Sequence, residues 1–222
     1  MLRIYVICEG LTEEAFVRDV LAEYYHQEMN IQPILIGKVS ERGKGGDVRY
    51  ARLRPDLLRL LRQDRGAACT TMVDFYRLGH DFPGFPVRDG LRTFEKAEII
   101  ECSMSDDICR ELGTSFDSAR FIPYIQMHEF EGLLFSDPEQ FARGIYRPDL
   151  EAAMKDIRCQ FETPEDIDDG AETAPSKRVL ARYPGYDKVT EGAVAAISIG
   201  LDKMRAECPH FAGWLGKLEA LA

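Results

Sequence analysis

The order of apolar and amphipathic segments is the feature that most narrows the fold of this chain. Short apolar runs rich in β-branched residues predict four buried strands, at 2–8, 31–39, 68–75 and 119–127. Helical periodicity predicts one helix between each pair of consecutive strands, at 13–29, 47–64 and 92–112. Since parallel neighbours need such crossovers, we expect an α/β protein with a mainly parallel four-stranded sheet flanked by helices.

The pattern changes after residue 135, where only helices are predicted, at 138–143, 148–161, 176–183, 189–207 and 209–220. No linker rich in Pro, Gly or Ser divides the sequence. We therefore expect an α/β core over 1–135 and a C-terminal helical extension over 136–222, packed as a layer on the same domain.

Two local signals are also informative. Thr12 is the predicted N-cap of the first helix, and Pro123 predicts an edge position or a bulge in the fourth strand.

Composition excludes some classes of protein. A formal net charge of −10 argues against a protein that coats nucleic acid through bulk charge, but not against a metal-dependent enzyme that acts on it. No apolar stretch approaches the length of a membrane helix, and the N-terminus does not resemble a signal peptide. The six cysteines form no C-x-x-C pair, which favours reduced thiols in a cytoplasmic protein over a zinc site or a disulfide framework.

Acidic residues follow three of the predicted strands. Glu9 ends the first strand, Asp74 ends the third, and Glu129 and Glu131 follow the fourth. Ligands of open α/β sheets bind beyond the carboxyl ends of the strands, so these acids are expected at one edge. Carboxylates are the ligands that Mg²⁺ and Mn²⁺ prefer. The sequence thus predicts a site for Mg²⁺ or Mn²⁺, with turn residues or helix caps as the competing interpretation of each acid.

Five segments carry a family resemblance. They are Ile7-Cys8-Glu9-Gly10-Leu11-Thr12-Glu13, Val73-Asp74-Phe75-Tyr76, His128-Glu129-Phe130-Glu131-Gly132-Leu133-Leu134-Phe135, Ala174-Pro175-Ser176-Lys177-Arg178 and Tyr186-Asp187-Lys188. In this order they resemble an uncharacterised bacterial family, domain-of-unknown-function family 4276, which is regarded as Toprim-like. The resemblance implies the Toprim-like fold of topoisomerases, primases and nucleases of the overcoming-lysogenization-defect (OLD) type.

The resemblance also implies roles for individual residues. Glu9 matches the Toprim glutamate after the first strand, and Asp74 matches the first aspartate of the D-x-D motif, which together hold Mg²⁺ for phosphodiester chemistry. Tyr76 stands where the second aspartate is expected, so one usual ligand is missing. Glu129 and Glu131 are the predicted replacements, because their spacing places both on one face of an extended chain. The competing interpretation of this pair is a cap and ion pair at the following helix.

Other residues are predicted to contact phosphate or transfer protons. His128 and His80 are each predicted to act as a general base or to bind phosphate. The competing interpretation of each is a structural or solvent-exposed histidine. The resemblance also implies that three cations contact phosphate: Lys177, Arg178 and Lys188. The competing interpretation is that they are ordinary charges at helix ends. Glu13 is a further candidate, since it lies near Glu9, but its place in a first helical turn is equally explained by the helix dipole.

Basic residues are concentrated between residues 38 and 65, which contain nine lysines or arginines and only four acidic residues. This stretch includes Lys44 in the glycine-rich segment 42–46, which is predicted to bring cations and backbone amides to phosphates. The segment lacks the full P-loop pattern, so it does not predict a nucleotide-binding loop. A solvated helix face with a flexible loop is the competing interpretation.

Three functions are compatible with these features. The first is a Mg²⁺- or Mn²⁺-dependent nuclease or related phosphodiesterase; the resemblance implies a phage-defence role beside an ABC- or AAA-type ATPase, which would be a partner because the chain has no ATPase motif. The second is a non-catalytic regulatory or nucleic-acid-binding subunit with a degenerate metal site, which Tyr76 favours. The third is a metal-dependent enzyme on small phosphate esters. DNA or RNA is the expected partner, no membrane contact is expected, and an oligomer is compatible with the sequence.

Overall fold

The computed structural model describes residues 1–36, 48–87, 90–167, 170 and 173–222. The strands are β1 (Leu2–Cys8), β2 (Met29–Leu35), β3 (Ala67–Asp74), β4 (Phe121–Ile122) and β5 (Ile125–Gln126). The helices of the first part of the chain are α1 (Leu11–Phe16), α2 (Ala22–Tyr24), α3 (Tyr50–Gln63) and α4 (Thr93–Leu112). A π-helical turn, Val17–Leu21, joins α1 to α2, and 3₁₀ turns cover Phe75–Arg77 and Ser118–Arg120.

The C-terminal part of the chain is helical, as predicted. Its helices are α5 (Glu131–Leu134), α6 (Pro138–Gly144), α7 (Glu151–Arg158), α8 (Pro175–Arg182), α9 (Thr190–Ile199), α10 (Leu201–Glu207) and α11 (Pro209–Glu219), with 3₁₀ turns at Pro148–Leu150 and Pro164–Asp166. None of the helices in the described part of the chain has the length and apolarity needed to span a membrane.

The sheet is parallel, with strand order β2-β1-β3-β4, and β5 pairs with β3 beyond β4. This confirms the predicted parallel sheet flanked by helices. Every residue of β3 is buried, because the strand lies at the centre and both faces are covered. Pro123 interrupts the edge strand between β4 and β5, as expected, and the Thr71 hydroxyl bridges the gap. It accepts the Tyr124 N–H at 2.9 Å and donates to the Tyr124 carbonyl at 2.8 Å.

Two buried clusters lie on opposite sides of the sheet. One packs α3 and α4 against the strands, through residues such as Leu57, Ile100 and Val73. The other packs α1 and the C-terminal helices against the opposite face, through residues such as Phe16 and Trp214. Trp214 stacks on Tyr124 at 4.4 Å between ring centroids and donates to the Thr70 hydroxyl at 2.8 Å. The first helical segment and the helices from beyond residue 135 therefore cover this face of the sheet together.

Three local predictions are wrong. The N-cap of α1 is Gly10 rather than Thr12, because the Glu13 carboxylate reaches back to the Gly10 N–H at 2.8 Å. The first helical segment ends at Tyr24 rather than residue 29, where β2 already begins. The predicted helix 189–207 is two helices, because Gly200 adopts φ +79 and separates α9 from α10.

Candidate metal centre

The carboxyl ends of β1 and β3 bring Glu9 and Asp74 together. These strands are neighbours in the sheet, with Cys8 opposite Met72. The Glu9 N–H donates to the Met72 carbonyl at 3.2 Å, and the Asp74 N–H donates to Glu9 Oε2 at 3.1 Å. Both acids therefore lie at the edge predicted from the sequence, and Glu9 is oriented by the backbone of β3.

A turn after β5 delivers Glu129 and Glu131 to the same edge. His128 adopts φ +60, a left-handed conformation that costs energy for a residue with a Cβ, and its carbonyl accepts the Tyr76 N–H at 3.1 Å. Glu129 and Glu131 are 4% and 1% exposed. Glu129 Oε2 accepts the Ser176 N–H at 2.9 Å, in the first turn of α8. The expected cap thus exists, but on α8 rather than on α5, the helix that follows.

Glu13 is a fifth carboxylate of the cluster. Its side chain is 5% exposed, and its negative charge is added to that of Glu9. Burial and then Glu9 raise the pKa of Glu13 to about 7. The sequence predicts Glu13 as a candidate because it lies near Glu9, with the helix dipole as an equal explanation, and the structure places it among the carboxylates.

Two cations from different parts of the chain face these acids. Lys188 Nζ lies 3.5 Å from Glu129 Oε1 and 3.3 Å from Glu131 Oε1. Arg77 Nε lies 3.8 Å from Glu9 Oε1. Lys188 was a candidate by resemblance, whereas Arg77 was missed. Its signal was a basic residue three positions after Asp74, at a strand end where acids gather.

Burial dominates the electrostatics of the cluster. It raises the pKa of Asp74 well above its usual range, and the nearby charges of Glu13, Glu9, Glu131 and Glu129 add to this effect. Burial also raises the pKa of Glu131 to about 7, although Lys188 opposes the shift. Burial raises the pKa of Glu9 as well, against the Asp74 N–H and Arg77, which favour the ionised form. The cluster therefore holds more carboxylates than its two cations neutralise.

The donor types suit a hard divalent cation. Asp74 Oδ1 is a buried oxygen that accepts no hydrogen bond in the described structure, which is rare for a buried polar atom, and Glu131 Oε1 also accepts none there, although it forms an ion pair with Lys188 at 3.3 Å. Mg²⁺ and Mn²⁺ bind carboxylate oxygens and keep several waters. In the present arrangement, however, no three His, Cys, Asp or Glu side chains of the described residues are placed to hold one ion. The residues fit such an ion in chemistry, and the ligand shell is not preformed.

The other residues predicted for the site differ in their burial and in their contacts. His128 is buried, with its ring edge-on to Phe75 at 6.5 Å, and His80 is exposed beside Phe85. Lys177 is exposed on α8, while Arg178 donates to the Thr173 carbonyl at 2.7 Å and lies over the Phe161 ring. The contacts of Arg178 suit a structural role. Lys44 and the rest of the glycine-rich segment lie outside the described residues.

Most of the described basic stretch does not face the carboxylates. The helix α3 starts beside Arg77, since the Val48 N–H donates to the Arg77 carbonyl, and ends beside β1, where Arg3 pairs with Asp64 at 2.7 Å. Arg54 and Arg62 pair with Glu111 on α4, at 2.9 and 3.0 Å. Beyond its first turn, α3 therefore carries its basic residues away from the carboxylates, as in the competing interpretation of a solvated helix face, because a crossover helix returns to the opposite edge of the sheet.

The chain is similar to one protein family and to two solved structures. The family model described as "Domain of unknown function (DUF4276)" matches residues 8–219. No curated protein matches the chain. Two structures of the C-terminal region of the Xanthomonas campestris pv. campestris OLD protein are similar to the whole chain. One has 12% identity and a TM-score of 0.43, and the other 14% and 0.39; 100% of this chain and 99% of each of those chains are covered. The Toprim-like assignment stays a prediction.

Proposed function

This chain belongs to the DUF4276 family, and we propose that it is a Mg²⁺- or Mn²⁺-dependent nuclease or related phosphodiesterase. The observation that carries the proposal is the convergence of Glu9, Asp74, Glu129 and Glu131 at one edge of the sheet. Buried carboxylates that exceed their cationic partners are unfavourable unless a cation or protons neutralise them. Groups of buried, incompletely neutralised charges are common at sites that bind a ligand, because such sites are not optimised for the stability of the fold.

Glu9, Asp74, Glu129 and Glu131 are the residues that would hold the ion. When bound, Mg²⁺ or Mn²⁺ supplies Lewis-acid stabilisation of the charge that develops on a phosphodiester. The backbone of this chain orients two of these acids, since the Asp74 N–H fixes Glu9 and the Ser176 N–H fixes Glu129. Pre-oriented groups lose less entropy and need less reorganisation when a ligand binds.

The nearby cations and Glu13 have separate roles in this proposal. Arg77 and Lys188 are half-buried cations at the mouth of the cluster and suit phosphate oxygens, which Arg and Lys both bind. Glu13, with a pKa of about 7, can accept or release a proton near neutral pH. The wider expectations of a nucleic-acid substrate, an ATPase partner and a role in phage defence remain part of the proposal.

The test is cleavage of labelled DNA and RNA by the purified full chain with Mg²⁺ or Mn²⁺, with and without the product of a neighbouring ATPase gene. Glu9→Gln and Asp74→Asn should each lower the cleavage rate by at least about 100-fold, as expected for groups that stabilise transition-state charge. Glu98→Gln, an exposed acid on α4, is the matched control and should leave the rate unchanged. Cleavage that survives both substitutions would refute the site, and no cleavage under any condition would refute the nuclease.

A regulatory or nucleic-acid-binding subunit with a degenerate metal site is the second candidate function. Two observations favour it: Tyr76 replaces an expected aspartate, and Lys188 already pairs with Glu129 and Glu131. Calorimetric titration with Mn²⁺ separates the two functions. A degenerate site should show no heat that depends on Asp74, whereas a catalytic site should lose its binding in Asp74→Asn.

A further inference from the structure

An exposed aromatic residue lies two positions after Asp74, in the 3₁₀ turn that follows β3. Tyr76 is 44% exposed, and its side chain makes no hydrogen bond or ring contact within the described residues. Its backbone is fixed, because its N–H donates to the His128 carbonyl. A ring that remains this exposed on a fixed backbone is available to contact a ligand.

A row of rings continues from the cluster towards the surface. The centroids of His128 and Phe75 are 6.5 Å apart, those of Phe75 and Phe85 are 6.3 Å apart, and those of Phe85 and His80 are 5.3 Å apart. Exposure increases along this row, from the buried His128 through the half-buried Phe75 and Phe85 to the exposed His80. Tyr76 directly follows Phe75 in the same 3₁₀ turn and is joined to His128 through its backbone, so we group it with these four residues as the aromatic surface.

Two arginines lie beside the aromatic surface. The Val48 carbonyl accepts the Gly79 N–H at 2.7 Å, which holds the start of α3 against the turn. A Cβ on Gly79 would lie 2.9 Å from the Val48 carbonyl oxygen, so this backbone contact favours glycine, and it would also lie 2.9 Å from Arg49 Cδ, which places Arg49 against the residue before His80. Arg49 is exposed and has no hydrogen bond or ion pair within the described residues. Arg77 directly follows Tyr76, and its Nε lies 3.8 Å from Glu9 Oε1.

We propose that the aromatic surface binds the bases of an unpaired nucleic-acid strand, with Arg49 and Arg77 on its phosphates, so that the site binds single-stranded DNA or RNA in preference to a duplex. Rings stack on the faces of unpaired bases, which a duplex keeps within its own stack. Cations beside stacking rings are the usual arrangement of proteins that bind single strands. The inference rests on the proposed function for the chemistry, but binding through stacking requires no cleavage.

The experiment is fluorescence anisotropy with a labelled dT₂₀, a labelled rU₂₀ and a labelled 20-base-pair duplex, using the full chain in Ca²⁺ to limit cleavage. We expect the single strands to bind at least about tenfold more tightly than the duplex. Tyr76→Ala should weaken single-strand binding by about 5- to 100-fold, the range expected for losing one stacked base, and Tyr76→Phe should restore it. The two single strands show whether DNA, RNA or both are bound.

Tyr24→Ala is the matched control, because Tyr24 is also 44% exposed but lies on α2. It should bind dT₂₀ as the unsubstituted chain does. Equal affinity for duplex and single strands, or no effect of Tyr76→Ala, overturns the inference even if the protein cleaves nucleic acid. Conversely, tight single-strand binding that depends on Tyr76, in a protein that cleaves nothing with Mg²⁺ or Mn²⁺, supports the inference and refutes the proposed catalysis.

Discussion

Lys188 reaches Glu131 across the carboxylate cluster, with its Nζ 3.3 Å from Glu131 Oε1. The Glu131 side chain is 2% exposed, whereas that of Lys188 is 37% exposed. The carboxylate of Glu131 is therefore almost fully desolvated, and the Lys188 side chain is still partly hydrated. The proximity of Glu131 and Glu129 raises the pKa of Lys188 although burial opposes this. An ammonium and a divalent cation compete for the same carboxylate oxygens, so this pair couples the stability of the protein to the occupancy of the site.

The first prediction concerns the loss of that ammonium. Lys188→Met in the absence of metal should lower the free energy of unfolding by about 1–2 kcal/mol, because Glu129 and Glu131 lose their counter-ion. The value is below that for a fully buried pair, since solvent screens a partly exposed ammonium. Urea unfolding in EDTA at pH 8 measures it. Lys203→Met, which removes an exposed pair with Glu207, should cost less than about 0.5 kcal/mol, and equal effects of the two would contradict the prediction.

The second prediction is a fall in the stability of the metal-free protein as pH rises. The pKa values of Glu13 and Glu131 are raised from an ordinary value of 4.5 to about 7. The folded state therefore holds these protons more tightly than the unfolded state. Their contribution is fully present below pH 4.5 and is lost as pH rises through about 7. We expect the free energy of unfolding to fall by on the order of 2 kcal/mol for each of the two acids between about pH 5 and pH 8.

Glu131→Gln isolates the contribution of one of these acids. The glutamine does not titrate, so the variant should show a shallower fall in unfolding free energy than the unsubstituted protein over the same range. Urea unfolding in EDTA at several pH values gives both curves. Parallel curves would show that Glu131 is not strained by its burial, and a rise in stability through neutral pH would contradict the predicted sign.

The third prediction is that Asp74→Asn stabilises the metal-free protein. Burial and four neighbouring carboxylates raise the pKa of Asp74, and its Oδ1 accepts no hydrogen bond. A neutral side chain of the same shape should therefore raise Tm at pH 8 by about 2–4 °C, corresponding to about 1 kcal/mol. If the acids hold a metal, the same substitution should abolish the rise in Tm that Mn²⁺ produces in the unsubstituted protein.

Asp107→Asn is the control of opposite sign. Asp107 accepts hydrogen bonds from Arg54 and Tyr50 at 2.7 and 2.9 Å, and its pKa is lowered. This variant should lower Tm and keep the response to Mn²⁺. Thermal unfolding of both variants with EDTA and with Mn²⁺ gives all four values. A lower Tm for metal-free Asp74→Asn would mean that the Asp74 carboxylate stabilises the fold.

The strands and the edge where the acids meet were predictable from the sequence. β-branched apolar runs set β1 and β3, and the carboxyl ends of parallel strands share one edge whatever the strand order. The order itself, with β1 between β2 and β3, depends on which apolar faces pack together and has no signal within one segment. The break at Gly200 was missed because residues 189–207 have continuous helical periodicity, which does not show whether a glycine adopts positive φ.

The partners of the acids were less predictable than the acids. Glu129 binds the Ser176 N–H 47 positions away, and Lys188 reaches the cluster because the C-terminal helices pack against the sheet. Such contacts follow from three-dimensional packing rather than from any periodicity, so only the family resemblance indicated Lys188. From the sequence, Tyr76 indicates only that a metal-binding aspartate is missing. The motif does not show that the tyrosine in its place is exposed to solvent.

The fourth prediction tests the packing of the helical layer on itself and on the sheet. A Cβ on Gly144 would lie 2.6 Å from Ala195 Cα and 3.1 Å from Ala195 N, so it would force apart the backbones of α6 and α9. Gly144→Ala should lower the free energy of unfolding by about 1–3 kcal/mol, as overpacking does. Gly213→Ala on α11, where a Cβ would meet nothing, should instead raise it by about 0.5–1 kcal/mol through helix propensity. Urea unfolding followed by far-ultraviolet circular dichroism and by Trp214 fluorescence measures both. Because Trp214 packs between the layer and the sheet, the two signals should change in one transition; separate transitions, or a stabilising Gly144→Ala, would contradict the single buried layer.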